Sequence, residues 1–387
     1  MRPLEGLLVV ALEQAVAAPM CSRRLADAGA RVIKLERPEG DFARGYDDVA
    51  HGQSSYFVWL NRGKESVVVD LGLAEDRRLF EALISRADVF IQNLKPGAIG
   101  RLGYPIAELC ALNPRLVACS ISGYGESGPY ADRKAYDLLI QAESGLASVT
   151  GGPEAPSRIG VSVVDVGTGM TAYEAILEAL FARERTGLGA DLRVSMFDAM
   201  AEWMAVPMMH ARYRDAPKRI GLRHPSVAPY GVFTCADGSP ILIAIQNERE
   251  WRRFAADVLA RPDLTEHPKF VNNIARIAHR AETDEEVQRS LAAIDTPDLL
   301  ERLARHEIAF GLVSSVEAAL AHPCLREVNV ETPRGVVPMP APAPIWNATS
   351  SGFARSARET PPIAARGVPA LGADTGAVRE EFLKHQT

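Results

Sequence analysis

Paired cysteines are missing from this chain. Cys21, Cys110, Cys119, Cys235 and Cys324 are scattered, odd in number and without a Cys-x-x-Cys spacing. That pattern points to neither a disulfide framework nor a zinc site. The eight histidines are dispersed too, so no metal and no redox cofactor is expected. No apolar run reaches the ~18 residues a membrane helix needs, and no membrane partner is expected. The opening MRPLEGLLVVALEQ holds only a short apolar run between Glu5 and Glu13, which reads as a first strand rather than a signal peptide. An excess of positive charge is also lacking. Lysine and arginine number 43 against 49 acids, a net charge of −6, which removes any general attraction for nucleic acid or anionic lipid. With 47% hydrophobic and 24% charged residues, disorder and low complexity are excluded as well. A reducing, cytoplasmic setting is the default expectation.

What is present reads as alternating strands and helices. GLLVVAL (6–12) is strand-like, PMCSRRLADA (19–28) has helical spacing and stops at Gly29, and RVIKLE (31–36) is strand-like again. This is the mark of a parallel βαβ unit. The pattern recurs through SVVVDL (66–71), a helix over 76–85, ADVFIQN (87–93), a helix over 106–112 and LVACS (116–120). A helix over 172–185, a strand at 191–195 and a further helix through Met209 follow. The expected fold is therefore α/β: a large Rossmann-like domain with a mostly parallel sheet over residues 1–224. HPSVAPYGVFTCADGSPILIAI (224–245) reads as a hairpin turning at Asp237-Gly238 and opens a small α+β domain over 225–325, mainly helical after Arg249. Residues 326–387 form a return linker and a last helix near 371–383, rejoining the large domain. Eight of the 26 prolines fall in 330–369, which suggests an extended connection.

Several motifs carry two readings each. Gly123-Tyr124-Gly125-Glu126-Ser127-Gly128 matches G-x-G-x-x-G after a strand, but Pro129 and ADRK follow where a helix should start, which argues against a nicotinamide site. Glu36-Arg37 ends a strand where dinucleotide folds read the ribose; a ribose phosphate or a surface ion pair would both suit it. Asn93, Lys95, Gly97 and Arg101 surround a strand end and suit either phosphates or a solvated loop. Asp165 stands in VSVVDVGTGM, among valines and before a long helix. It reads as an N-cap or, if partly desolvated beside helix N–H groups, as a nucleophile. Tyr136-Asp137 reads as a cap with an exposed ring.

Taken in order, many segments resemble the class III (family III) CoA-transferases, which include formyl-CoA transferase, the carnitine CoA-transferases and α-methylacyl-CoA racemase. The resemblance runs through PLEG (3–6), DAGARVIKLERP (27–38), GDFARG (40–45), LNRGK (60–64), QNLKPG (92–97), ISGYG (121–125), SGPY (127–130), Asp165 with its glycines, RHP (223–225), PYG (229–231) and PALG (369–372). It implies an interlocked homodimer, acyl-CoA and carboxylic acid as substrates, and Asp165 as the catalytic nucleophile. It implies coenzyme A contacts at Val16, Ala17, Arg37, Asn93, Leu94, Lys95, Arg101, Lys134 and Tyr136. The racemases carry Gly-His-Asp where this chain has Ala135-Tyr136-Asp137, which favours transfer over racemisation. Val16 stands where formyl-CoA transferase has a glutamine, and Ala244–Glu248 where it has a run of glycines, which makes Gln246 a substrate candidate. EQAVAAP (13–19) with GDFARGY (40–46) is more similar to members acting on small dicarboxylates of the mesaconyl, citramalyl, malyl or itaconyl type. Arg44 is the candidate for the second carboxylate of such an acyl group, through a forked contact. Two alternatives are a racemase or epimerase of the same family and a non-catalytic CoA-binding module.

Overall fold

The structure, a computed structural model, describes residues 2–345 and 367–384. It falls into two compact units, the first made of Met1–Leu146, Ile159–Val206 and Arg326–Thr387, the second of Ala147–Arg158 and Pro207–Leu325. The boundary expected at 224 thus lies nearer 206. The short piece 147–158 joins the second unit, where Arg219 donates to the carbonyls of Ser148, Gly152 and Pro153.

The first unit is built on six strands: β1 (Leu8–Leu12), β2 (Arg31–Glu36), β3 (Lys64–Val68), β4 (Val89–Gln92), β5 (Val117–Ser122) and β6 (Ala190–Ser195). Their spatial order is β3-β2-β1-β4-β5-β6, and every neighbouring pair is parallel. Successive side chains point to opposite faces. Val9, Val32, Val89, Ile91 and Cys119 join one buried cluster with α1 (Ala17–Asp27) and a later, long helix over 163–186. Val10, Ile33, Phe90 and Ala118 join the opposite cluster with helices over 74–86, 106–112 and 375–383. Strands covered on both faces must be apolar throughout, which is why they stand out in the sequence. The outer edge of β3 is capped by the C-terminal segment. The N–H of Ser66 donates to Asp374 (2.9 Å), that of Val68 to Thr375 Oγ1 (3.0 Å), and Val378 and Phe382 are buried.

Three elements differ from the sequence reading. The strand expected from Ser66 begins at Lys64. Lys64 and Glu65 are buried because each has an opposite charge, Glu13 and Arg31 respectively, so the strand's first turn of sequence looks polar while its environment is not. The helix expected from Ala172 begins at Val163. Gly167 and Gly169 lower local helix propensity, but packing requires them. A Cβ at Gly169 would lie 2.5 Å from the Ala17 carbonyl oxygen, and one at Gly167 2.9 Å from Met200 Cε. The connection expected over 330–369 contains an antiparallel hairpin, Glu327–Thr332 with Gly335–Pro340; residues 346–366 lie outside the described residues.

The second unit holds a three-stranded antiparallel sheet of Tyr230–Thr234, Pro240–Ala244 and Ala309–Leu312. Phe233, Ile241, Ile243, Trp251, Phe254 and Leu299 form its core. The turn at Asp237-Gly238 is as expected; the third strand, four residues after a helix, was not.

Gly169→Ala should lower stability by about 1–3 kcal/mol through forced displacement of the two helices. A urea midpoint equal to that of the native protein would contradict the close approach.

Candidate active site

The strand order reverses between β1 and β4, and ligands of open α/β sheets bind outside the carboxyl ends of strands at such a point. The two loops that leave these strands are tied together. Gln14 donates its N–H to Asn93 Oδ1 (2.9 Å), and Asn93 Nδ2 donates to the Gln14 carbonyl (2.8 Å). Most of the expected coenzyme A contacts follow the ends of β1, β2, β4 and β5 and so belong to one rim of the sheet: Val16 and Ala17, Arg37, Asn93 to Lys95, and Lys134 with Tyr136. Val16 and Ala17 are buried at the start of α1. Arg37 is exposed, with Nε on the Gly40 carbonyl (3.2 Å). Leu94 donates its N–H to Gln92 Oε1 (2.8 Å). Exposed Lys95 lies 3.2 Å from Asp132. Arg101 ends a short helix, Ala98–Arg101, and folds back over Gly97. Lys134 is exposed and has no partner among the described residues; Tyr136 is exposed as well. All four cations are exposed on the surface.

The long helix, α2 here (Val163–Thr186), starts at the same rim, because it precedes parallel β6. Its N-cap is Ser162, whose side chain makes no capping bond. The cap comes from far upstream. Asp137 Oδ1 accepts the N–H groups of Val164 (2.8 Å) and Asp165 (3.2 Å), while Asp137 Oδ2 accepts from Gln141 Nε2 (2.6 Å). The N-cap reading of Asp165 is therefore corrected: Asp165 sits inside the first turn, and another acid satisfies the orphan N–H groups. The Asp165 carboxylate accepts no hydrogen bond from the described residues. Burial, followed by the nearby Asp137 carboxylate, pushes its pKa up to about 7.

Apolar and aromatic groups lie close by in sequence and space. Val166 packs with Val16, Met20, Leu60, Tyr56 and Trp59. Phe42, Tyr46, Tyr56 and Trp59 form a ladder of rings with centroids 5.7, 5.6 and 6.4 Å apart. Burial and the carboxylates of Asp41 and Asp165 push the Tyr46 phenol up to about 12, so it stays protonated near Asp165. Tyr46 and Tyr56 were not singled out in the sequence, because a tyrosine carries no spacing signal. Asp137 was visible as half of a Tyr-Asp pair and as the last residue of the Ala135-Tyr136-Asp137 triplet, but not as the cap of a distant helix.

One candidate, Arg44, has a partner within the fold. The Arg44 guanidinium is already occupied: Nε and Nη2 grip Glu36 (2.8 and 2.7 Å), Nη1 reaches the Pro369 carbonyl (3.3 Å), and the group stacks 3.8 Å from the Phe57 ring centre. Its fork holds Glu36, not an acyl carboxylate. Gln246 belongs to the second unit, where its N–H donates to Glu250 Oε2 (2.8 Å). No helix starts within Gly123–Gly128; the next one begins at Asp137, so the glycine run makes no pyrophosphate cradle. Among the described residues no group of three metal-ligating side chains occurs, and no helix is long and apolar enough to cross a membrane.

The class of protein that emerges is a doubly wound α/β fold with a hydrogen-bond-free aspartate in the first turn of its long helix, at the rim where such sheets take ligands. The profile of CoA-transferase family III matches residues 4–375, and the chain belongs to that family. It is 36% identical over 385 residues to an acetyl-CoA:oxalate CoA-transferase of Acetobacter aceti, covering 98% of this chain and 96% of the relative. It is 34% identical to a succinate–glutarate CoA-transferase of Agrobacterium fabrum, with 87% of each chain covered. A crystal structure of a CAIB/BAIF family protein from Brucella suis superposes with a TM-score of 0.78 at 33% identity, covering 98% of this chain and 99% of that one.

Asp137→Asn should remove the like charge beside Asp165 while leaving an oxygen to cap the helix. The pKa of Asp165 then falls, and the acid limb of the kcat/KM profile, expected near pH 7, moves to lower pH. An unmoved limb would assign it to another group.

Proposed function

We propose that the protein moves coenzyme A from an acyl-CoA thioester to a small dicarboxylate of the C4–C5 kind, such as mesaconate, citramalate, malate, itaconate or succinate, through covalent catalysis by Asp165. The observation that carries this reading is the Asp165 carboxylate, left without hydrogen bonds and poorly solvated at the sheet's ligand rim. A carboxylate stripped of solvent is the more nucleophilic, and its acyl derivatives stay activated.

In this reading an Asp165 oxygen attacks the donor thioester carbonyl, the C–S bond breaks, and a mixed anhydride and a CoA thiolate form. The thiolate attacks the aspartyl carbonyl and expels the donor carboxylate, giving an aspartyl-CoA thioester. The acceptor carboxylate attacks that carbonyl and releases the thiolate, which then attacks the new acyl carbon and frees Asp165. Binding the nucleotide end of CoA at Arg37, Lys95, Arg101 and Lys134 would keep the thiolate close between steps. Val16, Ala17, Asn93, Leu94 and Tyr136 are taken as the remaining CoA contacts, and a cytoplasmic homodimer as the working form. The relatives named above act on oxalate or on succinate and glutarate, which supports a dicarboxylate acceptor. A racemase would need a second proton-transfer group, and the exposed Tyr136 stands where the racemases carry their histidine.

The test is a panel of acyl-CoA donors against free dicarboxylates, with new thioesters identified by mass spectrometry. Asp165→Ala should lower transfer at least ~1,000-fold. Hydroxylamine added with acyl-CoA should leave a hydroxamate at residue 165 in the native protein. The urea midpoint of Asp165→Asn at pH 8 should be no lower than that of the native protein. An aspartate whose pKa is raised on folding costs stability as pH rises from about 4 through about 7, and the asparagine carries no such cost. Retained transfer in Asp165→Ala defeats the proposal.

A further inference from the structure

Three of the four backbone positions between β1 and α1, Glu13 to Ala15, are held by polar side chains. The Glu13 carbonyl accepts from Lys34 Nζ (3.3 Å), while the Glu13 carboxylate accepts from Lys64 Nζ (2.6 Å) and Ser22 Oγ (2.7 Å). Gln14 is clamped by Asn93 through two bonds. Ala15 adopts φ 64, the left-handed region, and its N–H donates to Asp41 Oδ1 (3.1 Å). Asp41 is buried. Its Oδ1 also accepts the Ala43 N–H (2.9 Å), and its Oδ2 accepts from Lys34 Nζ (2.9 Å). The side chains of Glu13, Lys34, Lys64 and Asp41 are wholly inaccessible.

Buried ion pairs are a poor way to gain stability, since well-packed apolar groups of the same volume do as well or better. What this cluster supplies is direction. An alanine leaves the left-handed region unless something holds it there. The turn at Ala15 decides where α1 begins. Val16, the next residue, packs in one cluster with Val166 beside Asp165, and the Ala17 carbonyl lies against α2 where only glycine fits at 169.

We propose that Asp41 is a positioning residue for CoA transfer: it holds Ala15 in the left-handed turn, and that turn sets Val16 and Ala17 at a fixed reach from Asp165. The proposal rests on the transfer reading given above. Asp41 acts through the loop and touches no reacting atom.

The test uses the full-length protein, with folding followed by urea melts, kcat and KM for acyl-CoA by thioester formation, and CoA affinity by calorimetry. K34M/D41A removes the acceptor and the lysine charge together, so no unpaired ion is left buried. Its kcat should fall about tenfold or more, with CoA affinity changed less than kcat. D41N keeps an acceptor oxygen for Ala15 and should lose less. Adding A15G to K34M/D41A should recover much of the lost kcat, because glycine enters the left-handed region without the strain an alanine meets there. That rescue separates the turn from any effect of Asp41 on Phe42–Gly45. A15V leaves every charge in place and should lower kcat about tenfold, because a β-branched residue resists the turn. Wild-type kcat in A15V overturns the proposal whether or not K34M/D41A folds, and so does a folded K34M/D41A that A15G fails to rescue. A native protein that moves no CoA removes the transfer reading and this one with it, whereas an active native protein with either of those results removes this one alone.

Discussion

The N-terminus of the long helix needs a carboxylate, and it takes one from a residue 27 positions upstream of the first N–H it satisfies. Everything about the candidate site depends on that bond. A helix start leaves N–H groups unsatisfied and favours a nearby negative charge. Had Asp165 itself supplied the cap, its oxygens would be spent and its pKa held low. Because Asp137 does so, Asp165 lies in the first turn with its oxygens unbonded among the described residues, with the Tyr46 phenol nearby. The capping acid also adds a like charge, which raises the Asp165 pKa further.

The positive charges of the first unit divide into two groups with different work. Lys34, Lys64 and Arg44 are spent inside the protein on Glu13, Asp41 and Glu36. Arg37, Lys95, Arg101 and Lys134 stay exposed on the surface instead. The division follows from desolvation. A buried ammonium or guanidinium must find a carboxylate, and a carboxylate within the fold is covalently present at fixed distance, whereas a substrate's is not. Arg44 fails as an acyl-carboxylate clamp for this reason.

Much of the fold was legible in sequence. RVIKLE coincides with β2, and residues 106–112 with their helix, because the two-sided burial of a parallel sheet writes continuous apolar runs and the covering helices write a 3.6-residue period. The reading failed where burial and polarity part company. Lys64 and Glu65 begin a strand although both are charged, and VGTGM lies inside a helix although its glycines look like a loop. In each case the explanation is a partner distant in sequence: Glu13 and Arg31 in the first, the Ala17 carbonyl and Met200 in the second.

By itself the sequence determined the strand–helix alternation and the family, and it offered Asp165 as a candidate, since each is written in local periodicity or in a run of residues read in order. Only the tertiary structure decided that Asp137 caps the helix, that Arg44 is bound to Glu36, that Tyr46 stands near Asp165, and that Asp41 grips Ala15. Those are distances between segments from 8 to 119 residues apart. They are set by the packing of helices on the sheet, and a linear pattern carries no record of which oxygen a given N–H will meet.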